Sequence, residues 1–485
     1  MFFRQIYDAS LAQNAYLIGC QRTGQALLID PERDIDRYLA IAEENDLTIT
    51  HVTETHIHAD FVSGSREILE TQEGVTAWLS DMGDTDWKYV WAQGRKDVRL
   101  LKDGDSFKVG NIVITAVHTP GHTPEHLSFL IEDQGGGADE PMGIVTGDFV
   151  FVGDVGRPDL LETAAGVEGV REPSARKLFE SIQKFRKLDD FVQVLPGHGA
   201  GSACGKALGA MPVSTVGYEK RFNGALRTAF NQGEEAFVES ILEGQPEPPV
   251  YFARMKRVNK EGPDVLGALP VPSRVSVGEV ARVLENKKVV LLDLRRDRQA
   301  FMERHVKGSL YAPLGGKFTS VAGSYVEPES EIVLAVESPE DLEEAVRGLV
   351  RIGLDHVIGY VVLGEVLSEE RARPMIVSTE SASTTDIDDL LEAHPGSVVL
   401  DVRGAGEYAE GHVPGAIHVA YTRLSQNLDE IPRGGKVIVH CGSGLRASFA
   451  VPYLERAGFD VIYGDGPIRD WHEMQRRKAP VMATV

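Results

Sequence analysis

Cysteine is scarce in this sequence, and its scarcity excludes a fold held together by a framework of disulfides. The chain has 485 residues and three cysteines, Cys20, Cys204 and Cys441. So few thiols are typical of a reducing compartment, where each cysteine stays free and has to be considered for its own chemistry. Cys20 follows an apolar, strand-like run, and we expect it in the core.

Long apolar runs are absent as well. Runs such as 289–292 and 360–363 are far shorter than the roughly 20 residues that a membrane-spanning helix needs. The N-terminal stretch MFFRQIYDASLAQNAYL mixes charged and amide side chains into its apolar residues, so the sequence predicts no signal peptide. We expect a soluble, cytoplasmic protein.

Basic residues are outnumbered, which bears on the possible partners. The chain has 50 lysines and arginines against 73 aspartates and glutamates, a formal net charge of −23. The resulting field repels phosphate backbones and anionic lipid surfaces, and we expect neither nucleic acid nor a membrane as a partner. The length exceeds what one hydrophobic core usually organises and predicts about three domains.

The first part of the chain alternates short β-rich runs with helical patterns, which indicates a layered α/β fold. Runs at 26–29 and 48–53 predict strands, whereas 172–186 has the pattern of a helix. A stretch with Pro and Gly, GPDVLGALPVP at 262–272, predicts a linker. We therefore expect a first domain at 1–262.

Beyond this linker the sequence repeats itself, which indicates two copies of one α/β module. The stretch VVLLDLRRDRQAFMERHVKGSLYAP matches VVLDVRGAGEYAEGHVPGAIHVA, so that Asp293 corresponds to Asp401. The two copies are predicted at 274–371 and 383–485.

The two copies differ at one loop. The second copy has KVIVHCGSGLRAS, a predicted strand that runs into a Gly-rich turn and then a helix, whereas the first has EIVLAVESPEDLE. Alignment of the two strands places Val336 of the first copy at the position of Cys441. The first copy therefore lacks the thiol.

Histidines and aspartates that could bind a metal follow several of the β-rich runs. They occur in ETHIHADF, TPGHTPEH, TGDF and LPGHG, and the candidates are His56, His58, Asp60, His122, Asp148 and His198. One such piece is a weak signal, since a buried histidine is more often a core residue than a ligand. Four pieces in this order, each at a strand end beside Gly or Pro, predict a metal site.

This pattern resembles that of the metallo-β-lactamase superfamily, which has HxHxDH, a His in a PGHT turn, a GD aspartate and a final His. The resemblance spans about residues 1–240 and implies an αββα sandwich, followed here by two α/β modules. Many hydrolases of the superfamily, glyoxalase II among them, hold two metal ions, and the last His of HxHxDH serves the second. Phe61 stands at that position and has no lone pair to donate, so we expect a single ion.

Within the superfamily the sequence resembles the persulfide dioxygenases, which implies one ferrous ion held by His56, His122 and Asp148. Such a 2-His-1-carboxylate set leaves open positions for substrate and O₂. The resemblance further implies hydrogen bonds that orient the ligands or the substrate, from His58, Asp60 and His198. For these three, packing or residual metal binding is the alternative, and His58 could be a fourth ligand.

Two further residues belong to this prediction. Arg157 lies in a GRPD element nine residues after the ligand aspartate, where the resemblance implies an arginine that binds a carboxylate of a glutathione-like thiol substrate. A surface ion pair with Asp154 or Asp159 is the alternative. Cys204 follows His198 by six residues, which predicts a loop over the pocket, and its part in handling sulfur stays open.

HCGSGLRAS resembles the active-site loop of rhodaneses, in which a cysteine opens a six-residue cradle before a helix. The loop here runs from Cys441 to Arg446 through Gly442, Ser443, Gly444 and Leu445. Backbone N–H groups at such a turn, together with the arginine, favour a thiolate that can accept sulfane sulfur. Protein phosphatases have one more residue between Cys and Arg, which makes room for a tetrahedral oxyanion, so the loop length favours sulfur.

Together these resemblances imply a bacterial multidomain enzyme of sulfide detoxification. Its first domain would be a mononuclear non-haem Fe(II) persulfide dioxygenase and its last a rhodanese sulfurtransferase, with sulfite or thiosulfate as product. The expected partners are O₂, persulfides of glutathione, coenzyme A or another thiol, and a second copy of the chain. For the rhodanese-like copy that lacks the cysteine, we expect a role in spacing the other domains, in docking or in dimer contacts. The direction of sulfur transfer stays open.

Two other functions remain open at this stage. A thioester hydrolase of the glyoxalase II kind would use a water activated by Zn²⁺, with the rhodanese units incidental, and Phe61 argues against it. A sulfur-sensing or partner-docking platform is the other alternative. Val336 favours a platform for the first copy, whereas Cys441 and Arg446 oppose it for the second.

Overall fold

The structure is a computed structural model that describes residues 1–163 and 169–478. Within these residues, no helix combines the length and the apolar character needed to cross a membrane.

The chain divides into two compact units. The first comprises Met1–Leu269 with Val350–Gly353, and the second comprises Pro270–Leu349 and the chain from Leu354 onward. The boundary after Leu269 falls inside the predicted linker. Both predicted rhodanese-like domains lie in the second unit, each with a sheet of its own, and the division into three domains stays a prediction.

The first unit contains two six-stranded sheets. The strands of the first sheet are β1 (Phe2–Asp8), β2 (Gln13–Cys20), β3 (Gln25–Ile29), β4 (Thr48–Thr53), β5 (Thr76–Ser80) and β6 (Val98–Leu101). They neighbour one another in chain order, antiparallel from β1 to β3 and parallel from β3 to β6. The strands of the second sheet are β7 (Ser106–Val109), β8 (Ile112–His118), β9 (Leu127–Asp133), β10 (Gly143–Gly147), β11 (Gln193–Pro196) and β12 (Ser214–Thr215). These also neighbour in chain order, and β10 and β11 pair in parallel.

Helices flank both sheets of this unit. Two come early in the chain, α1 (Asp36–Glu43) and α2 (Ser65–Thr71). The later helices are α3 (Leu160–Thr163), α4 (Arg171–Phe185), α5 (Val216–Phe222), α6 (Gly224–Asn231), α7 (Glu234–Leu242) and α8 (Phe252–Glu261).

Successive residues of the strands face different layers, which produces the αββα sandwich. In β2, Leu17 packs in a core that includes Tyr38 of α1, whereas Tyr16 packs between the sheets with Phe129 of β9. A further core lies between the second sheet and the helices α4, α6 and α7. Strand side chains point alternately to the two faces of a sheet, so each apolar strand serves two cores. The predicted αββα arrangement is confirmed.

The second unit contains two five-stranded sheets, one for each copy of the repeat. The strands of the first copy are β13 (Ser273–Arg274), β14 (Val289–Asp293), β15 (His305–Val306), β16 (Leu310–Tyr311), β17 (Glu331–Val336), β18 (Val357–Val362) and β19 (Ile376–Val377). Of these, β15 and β19 form a separate two-stranded ribbon. The strands of the second copy are β20 (Ser381–Ser383), β21 (Val398–Asp401), β22 (Ile417–His418), β23 (Val437–His440) and β24 (Val461–Asp465).

Helices connect the strands of both copies. Those of the first copy are α9 (Val277–Glu285), α10 (Arg298–Glu303), α11 (Phe318–Tyr325), α12 (Leu342–Arg351) and α13 (Leu363–Ser368). Those of the second copy are α14 (Ile387–Ala393), α15 (Ala405–Glu410), α16 (Leu445–Arg456) and α17 (Ile468–Lys478).

The repeat in sequence is also a repeat in structure. The strand order is β13-β18-β17-β14-β16 in the first copy and β20-β24-β23-β21-β22 in the second. If the five strands of each sheet are numbered along the chain, both sheets have the order 1-5-4-2-3. All neighbouring strands pair in parallel. In the first copy the residue paired with Asp293 directly precedes Val336, and in the second the residue paired with Asp401 directly precedes Cys441. Val336 therefore occupies the position of the thiol, as the alignment predicted.

Both copies keep the same buried ion pair at the end of a central strand. Arg295 donates to Asp293 from Nε at 2.8 Å, and Arg403 donates to Asp401 from Nε at 2.9 Å. Each arginine also donates to a carbonyl oxygen beyond the next helix, that of Arg304 or that of Gly411. The pair thus ties the strand end to the far end of the following helix, with or without a thiol in the copy.

We expect Asp293→Ala to lower the free energy of unfolding around β14 by about 3 kcal/mol, because it leaves the buried guanidinium of Arg295 without its counter-charge. Hydrogen exchange of peptides from β14 and β17 measures this change. Asp297→Ala is the control, since Asp297 is exposed and caps α10, and it should cost about 1 kcal/mol. Equal losses in the two variants would contradict the structural role of the pair.

Candidate functional site

Loops at strand ends bring the predicted metal ligands of the first unit together. They follow β4, β8, β10 and β11, and they carry His56, His58, Asp60, His122, Asp148 and His198. All of these side chains are buried. Because β10 and β11 pair in parallel, their C-terminal ends place Asp148 and His198 at the same edge of the sheet.

The close approach of these loops requires glycine at one turn. Gly147, the last residue of β10, has a φ of +49°, and a Cβ there would lie 2.5 Å from Thr55 Oγ1 and 2.8 Å from Nε2 of His126. Any other residue would be strained and would push the loop of Asp148 away from the loop of His56.

Three of the side chains form a set that could hold a metal ion. One ligand atom each from His56, His122 and Asp148 lies within 4.8 Å of the others. His122 Nε2 is 3.5 Å from Asp148 Oδ2, and that oxygen has no hydrogen-bond partner among the described residues. A buried carboxylate oxygen without a donor is costly unless a cation meets it, so the set fits a metal ion.

Neighbouring oxygen atoms orient the two imidazole rings. The Nδ1 atom of His122 lies 2.9 Å from the carbonyl oxygen of Arg157, and the Nδ1 atom of His56 lies 3.0 Å from Thr55 Oγ1. The Thr55 hydroxyl in turn donates to Asp30 Oδ2 at 2.9 Å. Since Nδ1 is engaged in both rings, Nε2 is the atom left for a metal.

His126 also belongs to the site, although the sequence analysis did not single it out. Its Nε2 accepts a hydrogen bond from the backbone N–H of Asp148 at 3.1 Å, and its Nδ1 lies 2.9 Å from Thr119 Oγ1. Burial, assisted by the neighbouring His122, lowers the pKa of His126 to about 3, so the ring is a neutral acceptor. The available signal was its place in TPGHTPEH, four residues after His122.

Burial and neighbouring charges give the ligands the forms that bind a cation. Burial, followed by the surrounding imidazoles, holds the pKa of His56 well below its usual value, and burial also lowers the pKa of His122. For Asp148 burial favours the neutral acid, but the imidazoles of His198 and His122 outweigh it and lower the pKa. Neutral histidines and an ionised carboxylate are the forms that ligate a metal.

His58 lies beside this set but has a different partner. Its Nε2 is 3.1 Å from Asp30 Oδ1, and its ring centroid is 4.3 Å from that of Phe61. Burial opposes the charge of His58, but Asp30 outweighs it and raises the pKa to about 9. The contact with Asp30 engages Nε2, whereas the Nδ1 atom has no hydrogen-bond partner among the described residues, so this geometry is compatible both with the hydrogen-bonding role and with a fourth ligand.

Asp60, His198 and Cys204 form a second buried set of possible ligands, again with one atom each within 4.8 Å of the others. His198 Nε2 is 3.3 Å from Asp60 Oδ2 and 3.5 Å from Asp148 Oδ1. Cys204 lies on a loop, as predicted, and its buried side chain is among the predicted site residues. Burial, then the carboxylates of Asp148 and Asp60, raise the pKa of its thiol well above the usual value. A metal ion bound by this set would have to displace the thiol proton, because the thiolate is the form that ligates a metal.

Arg157 differs from the substrate clamp that the resemblance implied. Its side chain is fully buried and donates to Asp159 from Nε at 2.8 Å and from Nη2 at 2.6 Å. Its Nη1 donates to the carbonyl oxygens of Ala203 and Pro246. The structure shows the ion pair with Asp159, but it is buried rather than on the surface as the alternative expected. A role in binding a substrate stays a prediction, and it would require the guanidinium to leave Asp159.

The Cys441 loop has the expected setting between a strand and a helix. Cys441 is fully buried directly after β23, and α16 begins four residues later. Arg446 pairs with both carboxylate oxygens of Glu407, with 2.7 Å between Nη2 and Oε1. The same Nη2 would lie 3.1 Å from a Cβ on Gly442, so the guanidinium lies against the loop. Glu407 is a further residue that the sequence did not reveal.

Comparison with known proteins finds a different family at each end of the chain. Family models match the metallo-beta-lactamase superfamily at residues 10–198 and the rhodanese-like domain at residues 383–474. The crystal structure of a metallo-beta-lactamase from Staphylococcus aureus subsp. aureus COL is 39% identical, covers 75% of this chain and 99% of its own, and superposes with a TM-score of 0.66. The chain belongs to the metallo-beta-lactamase superfamily.

Within the metallo-beta-lactamase superfamily, curated relatives of the first unit include proteins of different chemistry. The mitochondrial persulfide dioxygenase ETHE1 of Bos taurus is 26% identical over 46% of this chain and 75% of its own length. The probable polyketide biosynthesis zinc-dependent hydrolase BaeB of Bacillus velezensis is 25% identical over 44% of this chain and 84% of its own.

We expect Asp148→Ala to abolish high-affinity binding of a divalent ion, because it removes the only carboxylate of the first ligand set. Metal content per chain, measured by plasma mass spectrometry after desalting, tests this. Cys204→Ser is the matched control in the same pocket and should retain one ion per chain. Retention of the ion by the Asp148 variant, or its loss from a folded Cys204 variant, would contradict the assignment.

Proposed function

We propose that the first unit is a persulfide dioxygenase with a single ferrous ion and that the last domain is a rhodanese sulfurtransferase, together serving sulfide detoxification. One observation carries the proposal above the others. Two histidines and one carboxylate converge in a buried pocket, while Phe61 stands where the superfamily's second metal would have a histidine. The similarity to the Bos taurus persulfide dioxygenase supports the same reaction.

The donor set fits iron. Two imidazole nitrogens and one carboxylate with open positions are typical of non-haem Fe(II) oxygenases. A ferrous ion bound by His56, His122 and Asp148 would supply the chemistry of O₂. The net reaction consumes a persulfide, O₂ and water and gives a thiol and sulfurous acid: R–S–SH + O₂ + H₂O → R–SH + H₂SO₃.

The residues around the ligands hold the pocket in shape for this reaction. Thr55 and the carbonyl of Arg157 fix the rings of the two ligand histidines, and His126 fixes the backbone at Asp148. Cys204 is the sulfur-handling candidate of this pocket, since its thiol lies with Asp60 and His198.

At the second site the Cys441 thiolate attacks the outer sulfur of thiosulfate. The S–S bond of thiosulfate breaks, sulfite leaves with the electron pair, and Cys441 keeps a persulfide. An acceptor thiol then takes the outer sulfur as its own persulfide, and the Cys441 thiolate is restored. Run backwards, the first step converts sulfite from the dioxygenase into thiosulfate. Backbone N–H groups of the loop and Arg446 stabilise these anions, and tethering on one chain raises the effective concentration of the shared intermediate.

The identity of the thiol and the assembly state belong to the proposal. Glutathione, coenzyme A or another small thiol would carry the persulfide, and we propose a homo-oligomer. Arg157 would bind a carboxylate of that thiol only after exchanging Asp159 for it.

A zinc-dependent thioester hydrolase is the second candidate. The ligand set of Asp60, His198 and Cys204 favours it, because a second cation there would sit beside Asp148. The probable polyketide biosynthesis hydrolase of Bacillus velezensis, described as zinc-dependent, supports a zinc hydrolase. A sensing or docking platform is the third candidate, favoured by Val336 in the first copy.

We expect the iron-loaded protein to take up O₂ when glutathione persulfide is added and to leave a glutathione thioester intact. An oxygen electrode and a spectrophotometric thioester assay measure the two activities side by side. Zinc in the purified protein together with thioester cleavage would select the hydrolase. Neither activity, with metal bound, would select the platform.

Cys441→Ser should leave persulfide-dependent O₂ uptake unchanged and shift the products from thiosulfate toward sulfite, because the rhodanese step needs the thiol. Chromatography of the sulfur oxyanions measures the ratio. Cys20→Ser serves as the control, since Cys20 lies in the first unit between its two sheets. An unchanged product ratio in the Cys441 variant would remove the proposed coupling.

A further inference from the structure

A side chain of the first, cysteine-free copy reaches the Cys441 loop of the second copy. Arg298, the first residue of α10, donates from Nη2 to Asp465 Oδ1 at 3.0 Å. Asp465 is the last residue of β24 in the second copy. The hydroxyl of Tyr463, on the same strand, lies 3.0 Å from that carboxylate oxygen and 3.1 Å from the carbonyl oxygen of Gly444.

Gly444 packs directly on this group of side chains. It has a φ of +87°, and a Cβ at this position would lie 2.6 Å from Asp465 Oδ1, 2.8 Å from the Tyr463 hydroxyl and 3.3 Å from Arg298 Nη2. Gly444 stands three residues after Cys441 and directly before α16. The Arg298 guanidinium therefore lies beside the space that a side chain at position 444 would occupy, three residues from the thiol.

Arg298 is the charged donor to Asp465 in the described part of the chain. Asp465 brings a carboxylate against a loop that has to hold a thiolate and an anionic sulfur compound. Its other donors in the described part of the chain, the Tyr463 hydroxyl and the N–H of Gly466, are neutral. The loop's own arginine, Arg446, is paired with Glu407 instead. Without Arg298, the Asp465 carboxylate would repel anions that bind at the loop.

We propose that Arg298 is a positioning residue of the rhodanese site. Its guanidinium pairs with Asp465 and offsets the carboxylate that faces the loop, and the Tyr463 hydroxyl lies between that carboxylate and the carbonyl oxygen of Gly444. The copy without a thiol thus contributes to sulfur transfer in the copy with one. The inference rests on the proposed sulfurtransferase activity of Cys441, with thiosulfate as the anionic donor.

The test uses the full chain with thiosulfate as sulfur donor and cyanide as acceptor. We expect Arg298→Gln to raise the KM for thiosulfate roughly twofold to fivefold, the range for the loss of one partly exposed charge contact, and to change kcat much less. Arg298→Lys should restore most of the wild-type KM. Removal of the carboxylate as well, in Arg298→Gln with Asp465→Asn, should also restore it, which a loss of folding would not allow.

Arg296→Gln is the matched control. Arg296 lies two residues from Arg298, is exposed and faces Asp341 at 3.8 Å, so the variant makes the same change in net charge away from the loop. Equal KM values for the Arg296 and Arg298 variants in an active protein would overturn the inference, and so would a double variant that stays impaired. A wild-type chain that matches Cys441→Ser in having no transfer activity would overturn the proposed sulfurtransferase itself.

Discussion

A buried carboxylate that needs a cation is the constraint on which the rest of the first unit depends. Asp148 lies in a pocket of imidazoles with one oxygen that no described residue satisfies. An unpaired anion in a low-dielectric interior costs several kcal/mol, so a cation bound by His56, His122 and Asp148 would stabilise this pocket. The local features follow from this need. Gly147 lets two loops approach closely, Thr55 and the Arg157 carbonyl fix the ligand rings, and His126 fixes the backbone at the carboxylate.

The second position in the pocket is where this chain departs from the pattern of its superfamily. Phe61 contributes no donor atom, whereas Cys204 brings a sulfur to Asp60 and His198. Burial and the carboxylates of Asp148 and Asp60 raise the pKa of that thiol, so a proton and a metal ion would compete for the same sulfur.

The two C-terminal copies show that scaffold and chemistry are separable in one fold. Both keep the strand order and the buried Asp–Arg pair, yet only the second has the loop with Cys441 and Arg446. The first copy, which has Val336 in place of the cysteine, still contacts the second copy through its surface. Arg298 lies on such a surface, which gives the first copy a physical part in the reaction beyond spacing.

Local pattern was sufficient for the parts of the site that follow strand ends. A layered α/β first domain, a metal site, the repeat and the position of Val336 could be predicted from apolar periodicity, from turns with Gly or Pro and from the order of the motifs. The αββα arrangement and the choice of His56, His122 and Asp148 as ligands came from the resemblance to the superfamily and its persulfide dioxygenases. Contacts between segments that lie far apart in the sequence could not be predicted in this way. Arg157 has an acidic residue two positions away, but its burial depends on Ala203 and Pro246. Arg446 pairs with Glu407, and Arg298 pairs with Asp465. In both pairs the partner lies on a separate element, and no spacing in the sequence predicts the contact.

The most direct test of the account is anomalous diffraction from crystals of the full chain, grown without oxygen and measured on both sides of the iron and zinc absorption edges. The account predicts one iron peak per chain, within bonding distance of His56, His122 and Asp148. A pair of zinc peaks, with one ion bound by Asp60, His198 and Cys204, would contradict it.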